Sequence, residues 1–290
     1  MVQIALKSES LIKWLYKIPI VKFFFVFKLS HLHKIKDKAV ADMVYRLIYV
    51  TDGQTKQTAY DRFHDIDDQS ASYIKEQGDA SIHDLGASSG VTSLALYNKA
   101  KAKGANFDFC ISDKFSKVYV QKGWLFTKVF DAEERLMLGY VGFLLASKSV
   151  KYFLGSHLLF SLLKLVPTNK KKWETVMLYD PEVIRFIGAD EMTNIEYDVL
   201  TTPQPEQFSF VRCMNVLHTN YFSEAQIIIA LENIKQSLKE GGILQLGRTH
   251  KRSLKNNVSF FQRQGDDFVQ LQDMGEGTDI KHLVRVKETV

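Results

Sequence analysis

An acid, two glycines and three serines cluster in HDLGASSGVTSLAL, His83 to Leu96. A strand that ends in such a loop and runs on into a helix turns unpaired N–H groups and the positive end of a helix dipole toward a crevice. That arrangement suits a nucleotide-like ligand. The spacing narrows the choice. A phosphate-cradling loop needs G-x-x-x-x-G-K-[ST], but counted from Gly86 the second glycine falls on Val91 and no lysine follows. A dinucleotide fingerprint needs G-x-G-x-x-G, and here the second position is Ser88 and the third Val91. What remains is D-x-G-x-x-x-G, made by Asp84, Gly86 and Gly90 with Ala87 and Ser88 between the glycines. Such a loop lets backbone approach a ligand closely and brings no device for phosphate.

Other residues fall where a crevice of this kind needs them. Asp113 closes the next apolar run, Phe107 to Ser112, where a carboxylate can accept both hydroxyls of a ribose. Asn215, His218 and Tyr221 follow the run Phe208 to Met214. A histidine at that strand end can act as general base toward an acceptor that carries a proton, an effect of about 10² to 10⁴ in rate. Equally, His218 can be satisfied by the helix after it, and Tyr221 can either hydrogen-bond an acceptor or pack. His83, inside the strand, reads as a core histidine, and His157 sits on an apolar helix. Arg62, in the run Tyr60 to His64, reaches toward a ligand carboxylate in one reading and lies on a surface helix in the other.

The elements that carry these residues alternate. From Ser81 onward short apolar runs exchange with amphipathic stretches, the pattern of a parallel sheet with crossover helices. Strands are expected at Ser81 to Asp84, Phe107 to Ser112, Asn194 to Tyr197, Phe208 to Met214 and Ile243 to Gly247, with a helix from about Ser89 to Lys101. A second helix is signalled by Ser223 with Gln226 three residues on, by Ile227, Ala230, Leu231, Ile234 and Leu238 on one face, and by Gly241 at its stop. The C-terminal run from Val258 reads as antiparallel strands on one sheet edge. Residues 1–75 read as a helical extension broken at Thr51 to Gln57, and 76–290 as the main domain. That domain carries an insertion at about 114–192, long enough to need structure of its own. Within the insertion a hairpin should turn at Asp131 to Glu134, and a buried helix should end at Pro167, ahead of Lys170, Lys171 and Lys172.

The D-x-G-x-x-x-G pattern resembles motif I of the class I S-adenosylmethionine-dependent methyltransferases, whose cofactor joins an adenosine to an amino-acid tail without phosphate. Phe208 to Thr249 resembles that family's segment from strand 4 to strand 5, and NVLHTNYFSEAQ through LKEGGILQLGRT looks most like the chemotaxis receptor glutamate methyltransferases. Met214 stands where that subgroup carries an arginine, and NVLH lacks the prolines of an [ND]-P-P-[YF] turn. The resemblance implies an α/β fold, a Rossmann-like, mostly parallel seven-stranded sheet with helices on both faces and antiparallel C-terminal strands. It implies S-adenosyl-L-methionine as cofactor, lying along Asp84, Gly86, Ala87, Ser88 and Gly90. Asp113 would grip the ribose, Asp198 or its competitor Glu196 would face the adenine amine, and Asn215 would stand by the methionine end. The same resemblance implies methyl transfer, with oxygen in a small or lipid-like acceptor expected because the added segments are apolar. Methylation of protein carboxylates, or a regulator that binds the cofactor without turnover at a membrane surface, are the alternatives.

Composition sets the frame. The chain has 290 residues, 46% of them hydrophobic and 24% charged, with a net charge of +5, ordinary for a globular protein with a sizeable core. Its lysines interleave with aliphatic residues instead of forming a basic stripe, which argues against nucleic acid as partner. Cys110 and Cys213 lie far apart in apolar runs, with neither metal-ligand spacing nor a disulfide framework, so a reducing cytoplasmic setting is expected and no metal site. In Leu11 to Leu29 the lysines 13, 17, 22 and 28 and Pro19 interrupt an apolar stretch. Each central lysine costs about 2.5 to 3.5 kcal/mol on insertion scales, so a spanning helix is disfavoured. Packing on the main domain and peripheral contact with a membrane both remain open for this segment.

Overall fold

The computed structural model describes residues 4–15, 17–18, 25–35, 37–45, 62–148, 154–201, 204–250 and 253–287. The chain divides into two compact units, one of Met1–Ala59 with Phe115–Ile184 and one of Tyr60–Lys114 with Arg185–Val290. In chain order the elements are β1 (Ile4–Leu6), α1 (Glu9–Leu15), β2 (Phe25–Phe27), α2 (Lys38–Tyr45), α3 (His64–Glu76), β3 (Asp79–Leu85), α4 (Val91–Ala102) and β4 (Asn106–Asp113). Next come β5 (Lys117–Lys122), β6 (Phe126–Phe130), β7 (Leu136–Val141), β8 (Leu144–Ser147), α5 (Leu154–Leu165), β9 (Trp173–Met177) and α6 (Pro181–Gly188). The last are β10 (Thr193–Glu196), β11 (Phe208–Met214), α7 (Glu224–Ser237), β12 (Leu238–Thr249), β13 (Asn256–Gln264) and β14 (Asp267–Met274).

The unit containing the glycine loop is built on a seven-stranded sheet of order β10-β4-β3-β11-β12-β13-β14. Its first five strands are parallel and its last two antiparallel. Sequence order runs outward from β3 through β4 to β10, and outward from β11 through β12 on the other side. The direction of winding therefore reverses between β3 and β11, and in open α/β sheets the crevice for a ligand lies at the carboxyl ends of the strands at that point. The seven residues of β11 are all buried, as a strand covered on both faces requires.

Alternation along the strands sends their side chains to two faces. On one, Arg212 of β11 and Asp84 of β3 stand in register, and Ser70 of α3 donates from its hydroxyl to Gln245 Oε1 of β12 at 2.8 Å. Tyr97 of α4 meets Phe107 and Phe109 of β4 edge-on, with ring centroids 5.2 and 5.8 Å apart. On the other face Ile227, Ala230, Leu231 and Ile234 of α7 share an apolar cluster with Leu85, Val211, Cys213 and Leu244. The start of α7 follows from its residues: Ser223 and Gln226 form a reciprocal capping box.

The second unit corrects two expectations. The N-terminal segment is not purely helical, because β1 and β2 join a separate sheet with strands of the insertion, in the order β2-β1-β8-β7-β6-β5-β9. The protein thus has two seven-stranded sheets where one was expected. The inserted hairpin is present as β6 and β7, with Glu134 N donating to Asp131 O across the turn, but it is only part of a five-strand contribution. Lys128 faces inward on β6 and is tolerated because its ammonium donates to Val166 O at 2.5 Å and Thr168 Oγ1 at 3.1 Å. The helix expected before Pro167 is α5, and it buries one side only: Phe160 and Leu163 pack on the sheet, whereas Leu158, Leu162 and Leu165 are exposed. Among the described residues no helix is long and apolar enough to cross a membrane. The expected break at Thr51 to Gln57 lies outside the described residues.

Gly139 of β7 lets α5 approach its sheet. A Cβ there would stand 2.5 Å from Leu163 Cδ1 and 2.5 Å from Thr127 O. Gly139→Ala should therefore destabilise this unit by about 1 to 3 kcal/mol, the usual cost of overpacking. The midpoint of urea unfolding reads the effect, and an unchanged midpoint would show that α5 is not seated there.

Candidate functional site

The loop Gly86 to Gly90 leaves the carboxyl end of β3 in a conformation that most residues avoid. Gly86 has φ +74°, Ser88 φ +58° and Gly90 φ +80°. Two of these positions carry glycine, but Ser88 has a Cβ, and a non-glycine residue in the left-handed region costs about 1 kcal/mol or more. The neighbouring strand end is similar, since Asn215 after β11 has φ +61°. The two loops touch: a Cβ on Gly86 would fall 2.2 Å from Val216 Cγ2. Glycine is required at 86 for this approach as well as for its backbone angle.

Most of the loop amides have partners inside the protein. Gly86 N and Ala87 N both donate to Ser112 O, at 2.9 and 2.8 Å, and Gly90 N donates to Ala87 O at 2.8 Å. Ser88 N donates to Asp113 Oδ2 at 2.8 Å, so the acid at the end of β4 sits at the loop and is partly exposed there. Two buried polar atoms, Ser89 Oγ in the loop and Asn215 Nδ2 at the end of β11, have no hydrogen-bond partner among the described residues. Asn215 Oδ1 accepts from Thr249 N at 2.9 Å, which fixes the direction of the amide.

Beneath the loop lies a charge cluster that sequence reasoning missed. Arg212 is fully buried on β11; its Nε donates to Asp84 Oδ1 at 2.9 Å, its Nη2 to Asp84 Oδ2 at 2.5 Å, and its Nη1 to Asp67 Oδ1 of α3 at 3.1 Å. Ser93 Oγ of α4 donates to Asp84 Oδ2 at 2.5 Å. Asp84, expected at the ligand, is thus buried and occupied by Arg212 and Ser93. The signal that could have found Arg212 was a lone arginine inside an otherwise apolar strand, because a buried guanidinium demands carboxylate partners.

The remaining expected residues are placed as follows. Asp198, just beyond β10, pairs with Lys114 Nζ at 2.7 Å near the surface and accepts from Leu200 N at 3.1 Å. Glu196 stands in register with Asp113 on β10. His218 Nδ1 accepts from Asn220 N at 2.8 Å and its Nε2 faces Arg248 Nη1, which also pairs with Asp279 at 2.8 Å. Tyr221 is exposed, with its ring centroid 5.8 Å from that of His218. His83 is a core histidine as expected, bonded to Ser112 Oγ at 2.8 Å and lying against Phe208 and Tyr197. Burial pushes its imidazole down to about 4, with Asp84 opposing the shift. Arg62 Nε donates to Thr249 Oγ1 at 3.0 Å. His157 lies on α5, in the other unit.

No family model matches the chain, and no curated protein matches it by sequence. Among solved structures it is similar to the N-methyltransferase NodS of Bradyrhizobium japonicum WM9 in complex with S-adenosyl-L-homocysteine, at 12% identity and a TM-score of 0.32 over 67% of this chain and 66% of that one. It is similar to a putative O-methyltransferase of Nostoc punctiforme PCC 73102 at 16% identity and a TM-score of 0.33, over 64% and 37% of the two chains. A putative S-adenosyl-L-methionine-dependent methyltransferase of Methanococcus maripaludis gives 14% identity and a TM-score of 0.32, over 65% and 57%. The chain spans about a third to two thirds of the length of these three structures. Scores and identities of this size establish neither a family nor a shared activity.

The charge cluster has a measurable pH signature. Burial pushes the Asp67 carboxyl up to about 6, against the pull of Arg212 and with the charge of Asp84 adding to the rise. A carboxyl that holds its proton more tightly when folded contributes stability at low pH, and loses that contribution as pH rises from about 4 to 6. The stability of the native protein relative to an Asp67→Asn variant should therefore fall across that window. Thermal unfolding of both at a series of pH values tests this, and parallel profiles would contradict it.

Proposed function

We propose that this chain is an S-adenosylmethionine-dependent methyltransferase of class I type. The observation that carries the reading is how the loop at the switch point uses its donors. The amides of Gly86, Ala87 and Ser88 are committed to Ser112 O and Asp113, so the loop does not offer the row of N–H groups that a phosphate needs. Two buried donors without partners among the described residues, Ser89 Oγ and Asn215 Nδ2, belong to the loop and to the neighbouring strand end. Buried polar atoms left in this state cost about 1 to 3 kcal/mol each unless a ligand or water meets them. A nucleoside with an uncharged linker and a polar amino-acid tail fits this donor set better than a dinucleotide or a nucleoside triphosphate does.

In this reading Asp113 holds the ribose, Asp198 or Glu196 faces the adenine, and Asn215 stands by the amino-acid end. Gly86, Ala87, Ser88 and Gly90 allow close backbone approach. Asp84 holds the loop in place through Arg212 and Ser93 rather than touching the ligand. When bound, the cofactor supplies an electrophilic methyl group on a sulfonium. The residues of the chain then have to position an acceptor in line and exclude water, and orientation of this kind can supply about 7 to 11 kcal/mol of a barrier.

The acceptor we propose is an oxygen of a small or lipid-like molecule. Nδ1 of His218 already accepts from Asn220 N, so the neutral ring carries its proton on Nε2 and has no spare lone pair, which suits an acceptor that needs no proton removed, such as a carboxylate. For an acceptor hydroxyl His218 would have to give up its Asn220 contact before serving as base. In this reading Tyr221, whose ring lies beside that of His218, donates a hydrogen bond to the acceptor.

The test is incubation of the full chain with methyl-labelled S-adenosylmethionine and cell extract, followed by separation into lipid, small-molecule and protein fractions. Label in the lipid or small-molecule fraction is expected. Label in protein alone would shift the acceptor to protein carboxylates, and binding without transfer would reduce the chain to a cofactor-binding module. Asp113→Ala should weaken binding of S-adenosylhomocysteine by about 1.5 to 3 kcal/mol, the range for hydrogen bonds to a charged group. Unchanged affinity in calorimetry would remove Asp113 from the site.

A further inference from the structure

One end of the second sheet exposes apolar side chains that no fold needs there. The turn between β5 and β6 carries Trp124, 98% exposed, and Leu125; the turn between β7 and β8 carries Phe143, 60% exposed. A backbone bond from Gly142 N to Leu125 O, 2.7 Å long, ties the two turns together. β1 runs antiparallel to β8, with Ala5 N donating to Phe143 O at 2.6 Å, so the chain leaves β1 at this same end. Lys7 follows there, and Lys28 lies beside it at the end of the parallel strand β2, its N donating to Leu6 O at 2.9 Å. Lys122 closes β5 at the foot of the Trp124 turn.

The lysines form a group. Lys28 is buried, with its ammonium 3.4 Å from Gly142 O and 5.2 Å from the centre of the Tyr140 ring. Burial lowers its affinity for a proton, and the charges of Lys7 and Lys122 lower it further, as ammonium groups crowded at one end of a sheet must. Glu174 pairs with Lys122. α1, which begins two residues after Lys7, exposes Leu11 and Trp14.

We propose that this end of the sheet docks on an anionic lipid bilayer. The apolar groups sit at the tips of two separate turns. A protein partner would have to supply a matching hollow for each tip, whereas the headgroup region of a bilayer deforms around them. Tryptophan favours that depth because its ring is apolar and its N–H stays near water, and the exposed Lys7 and Lys122 beside it reach anionic headgroups. The inference concerns this unit alone and does not rest on the methyl-transfer reading.

The test uses the full chain and two kinds of vesicle, phosphatidylcholine alone and phosphatidylcholine mixed with phosphatidylglycerol. The protein should sediment with the mixed vesicles, less with the neutral ones, and should be released by salt. A Trp124→Ser, Phe143→Ser variant should partition about tenfold or more weakly, since binding scales with buried apolar area. Far-ultraviolet circular dichroism and the unfolding midpoint of the variant should match the parent, because both side chains are exposed. Failure to sediment with mixed vesicles, or equal partitioning by the variant, would overturn the proposal. So would a dimer in sedimentation velocity that dissociates on Trp124→Ser, because a second copy of the chain would then be the occupant.

Discussion

Arg212 is the constraint on which the candidate site depends. A guanidinium with no access to water must have its charge met within the fold, and here one carboxylate comes from β3 and one from α3. The Asp84 end of this cluster takes a further hydrogen bond from Ser93 in the first turn of α4. Three of the elements that frame the crevice, β3, β11 and α4, are therefore fixed around one pair of oxygen atoms. The loop from Gly86 to Gly90 spans between two of them, β3 and α4. Removing Arg212 would leave two buried acids facing each other, and removing either acid would leave a cation underpaired. A cluster of this kind adds little net stability compared with an apolar replacement, but it allows few alternative registers of β3 against β11.

That rigidity gives the strained backbone above it a meaning. Ser88 and Asn215 both hold left-handed angles on adjacent strand ends, and the Gly86 backbone lies against Val216. Strain of this sort persists only where the surroundings over-determine it. The surroundings here are the Ser112 carbonyl, the Asp113 carboxylate and the charge cluster below. The result is a loop most of whose amides are already paired, with the Ser89 hydroxyl left without a partner among the described residues. A loop organised in this way separates a ligand held by its sugar and its tail from one held by phosphate.

The sequence was most readable where local rules and burial agree. β11 coincides with the apolar run Phe208 to Met214 because both of its faces are covered, and α7 begins where Ser223 and Gln226 can cap each other. The loop and Asp113 were legible because glycine spacing and strand ends are local features. The Arg212 cluster was not, since its partners lie 128 and 145 residues away and only the register of β3 against β11 brings them together. The second sheet was hidden for other reasons. β1 and β2 are three residues each and β8 four, too short for periodicity to register. Asp84 was read as a ligand contact because a strand-end acid beside a glycine loop looks alike whether it faces a crevice or a buried arginine.

The account stands or falls on which ligand the switch point accepts. Calorimetric titration of the purified chain with S-adenosylhomocysteine, with a nicotinamide dinucleotide and with a nucleoside triphosphate compares an uncharged linker with two phosphate-bearing ones. Saturable binding of S-adenosylhomocysteine with no heat from the other two is the result expected. Binding of either phosphate-bearing ligand with none of S-adenosylhomocysteine would contradict it.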